Sequence, residues 1–284
     1  MRWQGRRESE NVEDRRGGGS FGMPINIPLG RGGIGIGGLI ILGIISLVFG
    51  INPLTLLEET SGPATVEGPR DAGEDTLKSF VSVVLADTES TWTDIFANAG
   101  HRYEEPVLVL YSGMVQSGCG MASAAAGPFY CPQDHKVYLD LEFFAELDRR
   151  FGAPGDFAQA YVVAHEVGHH VQTLLGLSDK VQAAQASLSK REANALSVAV
   201  ELQADCYAGI WAYHADRFRN LLEPGDIDEA LQAASAVGDD TLQRAAQGRV
   251  VPDSFTHGSA AQRSHWFRTG YQSGDMNACN TFER

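Results

Sequence analysis

The longest apolar feature of the chain is "GGIGIGGLIILGIISLVFGI", residues 32–51, twenty positions without a charged side chain. At a rise of about 1.5 Å per residue such a run matches a hydrocarbon core of about 30 Å, and it predicts one transmembrane helix. A cleaved signal peptide is the alternative. The long arginine-bearing leader and the lack of a small-residue cleavage site in "NPLTLLEET" count against it. From Asp75 the pattern turns amphipathic. "TLKSFVSVVLADTESTWTDIFANAG" repeats apolar positions at intervals of three and four, the signature of a helix, with Gly100 as its stop. "EPVLVLYSG" then reads as a short buried strand and "KVYLDLEFF" as an alternating one, leading into a short helix at "FFAELDRRFG". Beyond Asp156 the periodicity is almost entirely helical. Few strands followed by many helices predict an α+β class, a mostly helical domain with a small sheet, preceded here by one N-terminal transmembrane helix.

Four segments follow from this pattern: a polar, glycine-bearing leader at 1–31 that predicts disorder, the span at 32–51, a flexible stalk at 52–74 and a folded domain at 75–284. Charge refines the picture. The chain carries a formal net charge of -14, yet its leader holds six arginines against four acids, leaving 16 bases against 32 acids in the rest. So acidic a body excludes nucleic acid as the main partner. Basic residues before the span and Glu58, Glu59 and Glu67 after it predict a cytoplasmic N-terminus and an exported domain, anchored to the cytoplasmic membrane by a single pass. All four cysteines, Cys119, Cys131, Cys206 and Cys279, follow the span, where disulfides are permitted. Three pairings are possible; the short loop favours Cys119 with Cys131, and hence Cys206 with Cys279.

The candidate chemistry centres on "AHEVGHHVQ", which lies in the middle of a helix predicted over 157–175, with Asp156 and Gln159 as a capping pair and Gly176 as the stop. At about 100° per residue, His165 and His169 lie about 40° apart, one turn above the other, so both imidazoles face one ion. Glu166 sits at the edge of that face as the general base of an H-E-x-x-H metal site. His170, about 140° from His165, is a poor partner for the same ion and is expected to pack or hydrogen-bond nearby. A catalytic zinc needs a third protein ligand and an open position. The apolar stretch "LSVAVELQADCYAGIWAYHADRF" carries Glu201 and, one turn later, Asp205, and buried carboxylates need a partner. Glu201 is therefore the expected third ligand of a single Zn2+ ion, with Asp205 receiving the free N–H of a ligating histidine.

These motifs carry a resemblance. "HEVGHHVQ" with "ELQAD" 32 residues after its second ligand resembles the gluzincin metallopeptidases, and the second element is similar to that of the CAAX prenyl protease group. Together with "MRWQGRRESENVEDRRG", "GPFYCPQDHKVYLDL", "VELQADCYAGIWA" and "GDDTLQRAAQGRVVPDSFTHGSAAQR", they resemble the bacterial neutral zinc metallopeptidase family over nearly the whole chain. The resemblance implies a zincin-like, membrane-anchored zinc endopeptidase acting on a protein or peptide substrate, with His165, His169 and Glu201 as ligands and Glu166 as base. It also implies a catalytic role for His257: Thr256, His257 and Arg263 resemble a Thr-His-Pro element with a downstream arginine, with Gly258 in the place of proline. In such sites an extended substrate pairs with an exposed edge strand, for which "HKVYLDL" is the candidate. Two other classes compete. A catalytically idle exported scaffold braced by zinc has no use for Glu166, and a deformylase suits a cytoplasmic chain with a cysteine ligand.

Overall fold

The computed structural model describes residues 1–17 and 72–282. Helix α1 (Ala72–Asn98) is the long amphipathic segment expected after the stalk, and Gly100, at φ +78°, ends it in the left-handed conformation that suits glycine. Its middle is buried on nearly every side, from Phe80 to Glu89, and Trp92 is fully enclosed. Strands β1 (Val12–Asp14), β2 (Val107–Tyr111), β5 (Phe129–Cys131) and β6 (Lys136–Asp140) form one mixed sheet in the order β1-β2-β6-β5, while β3 (Met114–Ser117) and β4 (Gly120–Ser123) make a separate hairpin. β1, β2 and β6 run parallel and β5 antiparallel to β6.

Beyond the sheet come α2 (Glu142–Arg149), α3 (Asp156–Leu174), α4 (Leu177–Gln185), α5 (Lys190–Arg219), α6 (Asp226–Ala236), α7 (Asp239–Gln247) and α8 (Ala260–Ser273). The core lies where α3, α5, α6 and α8 pack together, with α1 against α3 and α5. α5 and α8 approach closely because Gly209 and Gly270 carry no side chain. A Cβ on Gly209 would lie 2.0 Å from the Phe267 carbonyl oxygen, and one on Gly270 1.9 Å from that of Cys206. At the far end of α5, Asp87 of α1 accepts from Trp211 Nε1 at 2.8 Å and from Arg219 Nε at 2.6 Å, a buried polar tie between the two longest helices. Two disulfides, Cys119–Cys131 and Cys206–Cys279, are the pair that loop length favoured.

The sequence misleads at four places. Residues 1–17 are ordered rather than a disordered leader: Leu108 donates its N–H to Asn11 O at 2.8 Å, Arg15 to Leu110 O at 2.8 Å, and the Met1 side chain enters the main core. Arg16, almost fully buried, forks onto Asp14 at 2.8 and 2.9 Å and reaches Glu74 O of α1 at 3.1 Å. The expected transmembrane helix at 32–51 lies outside the described residues, and no helix among those described is long and apolar enough to cross a membrane. A single span would hold leader and domain on opposite sides of a bilayer. β1 and β2 instead share a ladder, which overturns the cytoplasmic leader, the exported domain and the single-pass placement built on them. The stalk ends earlier than expected, since Ala72 to Glu74 already belong to α1. Finally, Asp156 does not cap α3. Gly155 stands at the cap, and the Asp156 carboxylate receives the Met1 ammonium at 2.8 Å, beside Glu223 at 3.2 Å and Asp226 at 3.5 Å.

Candidate metal centre

α3 and α5 cross where the two motifs meet. Gly168, between the two histidines of the motif, faces Ala204 of α5. A Cβ there would lie 3.0 Å from the Ala204 carbonyl oxygen, so glycine is what lets the helices close this tightly. The crossing sets His165 and His169 against Glu201. His165 Nε2 is 3.2 Å from one Glu201 oxygen and His169 Nε2 is 3.5 Å from the other. One ligand atom from each of the three lies within 4.8 Å of the others.

The opposite ring nitrogens are both occupied. His165 Nδ1 donates to Asp205 Oδ1 at 2.9 Å and His169 Nδ1 to Gln172 Oε1 at 2.9 Å, leaving both Nε2 atoms aimed at the same point. Gln172 is itself fixed, donating to Val200 O at 2.8 Å and to Gln203 Oε1 at 3.1 Å. Two imidazoles with anchored tautomers and one carboxylate form a donor set that suits a zinc ion, with a position left open. Glu166, 8% exposed, is one residue from His165 on the same helix, and its charge is felt by His169.

Asp205 is wholly buried and accepts four hydrogen bonds. Tyr161 Oη donates at 2.5 Å, His165 Nδ1 at 2.9 Å, and Arg263 of α8 forks onto both oxygens at 2.8 and 3.0 Å. Burial disfavours the charge on each member, but the Arg263 guanidinium holds the Asp205 carboxyl down at about 2, and Asp205 in turn keeps Arg263 charged. Burial likewise works against protonation of His165, yet Asp205 and Glu201 outweigh it and hold that ring's pKa up at about 10. Glu201 is pulled below the usual carboxylate range by His169 and His165 in spite of its burial. The site is thus a cluster of opposite charges in which a cation can take the place of protons.

The remaining candidates fall outside the cluster. His257 is half exposed and is no member of it. Asp239 at the start of α7 organises that loop, accepting the N–H groups of Thr256, His257 and Gly258 at 2.7, 2.7 and 3.0 Å and lying 3.3 Å from His257 Nδ1. The hydrogen bond to Asp239 raises the His257 pKa, and Glu201 adds to the effect, so the ring lies within the field of the cluster. Gly258 has φ +95°, a value closed to proline, which explains the departure from the Thr-His-Pro element. His170 turns away from the cluster to Tyr130 Oη of β5 at 3.0 Å and Glu104 O at 2.6 Å. "HKVYLDL" is no edge: β6 pairs on one side with β2 and on the other with β5, so the edge strand of the sheet nearest α3 is β5.

Sequence reasoning missed Tyr161, Gln172 and the contact of Arg263 with Asp205. Tyr161 and Gln172 did offer a signal, standing four residues before His165 and three after His169, on the same face of the helix. Arg263 offered no local one, being 58 residues from its partner.

Comparison with known proteins places the chain in a family. The family model described as "Putative neutral zinc metallopeptidase" matches residues 1–282. The chain is 50% identical over 289 residues to "Uncharacterized protein YpfJ" of Escherichia coli K12, covering 99% of each chain. It is also 50% identical over 190 residues to "Uncharacterized protein Rv2575" of Mycobacterium tuberculosis H37Rv, covering 63% of each. No solved structure matches. The described ordered leader, the histidine pair and the acidic pair Glu201 and Asp205 all fall within the matched span, and the chain belongs to the neutral zinc metallopeptidase family.

Proposed function

We propose that the protein is a zinc-dependent endopeptidase whose ion is held by His165, His169 and Glu201. The observation that carries this reading is the convergence of two Nε2 atoms on one carboxylate while both Nδ1 atoms are anchored by Asp205 and Gln172. A zinc ion in that position supplies a Lewis acid that makes water a nucleophile near neutral pH and polarises a peptide carbonyl. The chain's own groups do the rest. Glu166 takes the proton from the attacking water and passes it to the leaving amine. His257, held through its backbone and ring by Asp239, donates to the substrate oxygen as that atom gains charge. β5 offers its free ladder edge to an extended substrate, and the Tyr130–His170 hydrogen bond fixes that edge to α3.

The test is Glu166→Gln, assayed on a denatured protein substrate with zinc content measured on the same sample. The variant should keep one zinc per chain and lose turnover by a factor of about 100 or more. Turnover equal to that of the parent would show that Glu166 is not the base.

A further inference from the structure

A cavity of about 230 Å³ lies between α4 and α5, and Glu201 forms part of its wall. The same Glu201 faces the two histidines, and Gln172, which holds His169 Nδ1, also lines the cavity. A side chain entering here meets Glu201, which faces the two histidines, and so lies beside the proposed ion. We propose that this cavity is the specificity pocket of the peptidase and that it takes one uncharged, apolar side chain of up to phenylalanine size from the residue on one side of the scissile bond. The inference rests on the reading under "Proposed function" and adds the substrate class to it.

Size and lining both point this way. A dry apolar cavity of about 150 Å³ suffices for benzene, so this volume accommodates an aromatic ring with its methylene. Leu177 and Val181 of α4 and Val200 of α5 provide apolar surface. Gln182, exposed at the rim, keeps its amide for solvent, while most of the other polar liners are committed to the protein. Ser178 shares a hydrogen bond of 2.8 Å with Thr173, Gln185 donates to Ala193 O at 3.1 Å and Ser197 Oγ at 2.8 Å, and Ser197 donates to Ala193 O at 3.2 Å. Ser178, Gln185 and Ser197 therefore have little to offer a polar guest inside the cavity. Among the residues that line it, Glu201 is the one ionisable group and no Lys, Arg or His is present to pair with a guest carboxylate, so an acidic side chain loses its hydration without gaining a partner. A lysine or arginine would lose its hydration, while the Glu201 charge is directed at the histidines and their ion.

The experiment uses the full-length, zinc-loaded protein and a series of small hydroxamates, titrated calorimetrically so that the readout does not depend on turnover. 3-Phenylpropionohydroxamic and 4-methylpentanohydroxamic acids should bind about tenfold or more tightly than acetohydroxamic acid, and succinic monohydroxamate no more tightly than acetohydroxamate. Val181→Phe, which fills the cavity from α4, should collapse the ratio between the phenyl compound and acetohydroxamate toward one. Ser197→Leu should do the same from the opposite wall, and Val181→Ala should keep the ratio. Equal affinities across the series, or a ratio untouched by both filling variants, would overturn the proposal. Cleavage of a mixed peptide library separates the two readings. Cut sites enriched in Leu, Met or Phe at one flanking position support both, whereas cleavage without such a preference removes the pocket alone. No cleavage combined with a ratio sensitive to Val181→Phe removes the peptidase and keeps the pocket.

Discussion

Asp205→Asn exposes how far the site depends on a buried charge. Asp205 Oδ1 receives Tyr161, His165 and one nitrogen of Arg263, and Oδ2 receives the other. Asparagine keeps the volume but replaces one acceptor by an amide that faces donors, and it leaves the Arg263 guanidinium, 4% exposed, without its counter-charge. Breaking a buried, hydrogen-bonded ion pair from one side costs about 3–5 kcal/mol, and loss of the group that orients a ligating histidine costs roughly 10–100-fold in metal affinity. Urea unfolding of the zinc-free protein and chelator competition on the loaded protein read the two effects separately. Adding Arg263→Met should recover most of the stability, since the stranded charge is then gone, but not the zinc affinity, since His165 Nδ1 still lacks its carboxylate. Unchanged unfolding in Asp205→Asn, together with zinc affinity within twofold of the parent, would refute this description of the network.

His170 is completely buried, and burial lowers its pKa to about 4 from an ordinary 6.5, so between those values the unfolded chain binds the extra proton. Its contribution to stability is complete above 6.5, falls with pH and is lost by about 4, a span of about 3 kcal/mol. His170→Gln should flatten the acid limb of the stability curve relative to the parent, and parallel curves would contradict the burial of a neutral ring. In the leader, the amides of Glu13 and Arg15, which alternation points into the β1–β2 ladder, should exchange with deuterium far more slowly than an unpaired chain does. Exchange within seconds would show that β1 does not pair.

The metal motif was legible because its information is local. A spacing of four residues on a helix places His165 above His169 whatever the rest of the chain does, and the helix bearing it has the expected extent. Glu201 and Asp205 were legible for a related reason, since two carboxylates one turn apart in an apolar helix require a buried partner. What escaped depends on long-range contacts. Nothing near Arg263 marks it as the counter-ion of a residue on another helix. "NVED" gives a three-residue strand that owes its existence to the open edge of β2 rather than to propensity. "HKVYLDL" alternates well enough to look like a half-exposed edge. Its neighbour "FYC" is too short to announce itself, so the strand that covers β6 was invisible in the pattern. The apolar run at 32–51 invited a topology that the packed leader excludes.

The central claim is that one zinc ion sits among His165, His169 and Glu201. X-ray absorption at the zinc edge of the purified, zinc-loaded protein, compared with Glu201→Ala, tests it most directly. The account predicts one ion per chain with two imidazole nitrogens and only oxygen besides, at the usual zinc distances of about 2.0–2.2 Å, and loss of tight binding in the variant. Sulfur in the coordination shell, a single imidazole, or a spectrum and affinity unchanged by Glu201→Ala would contradict it.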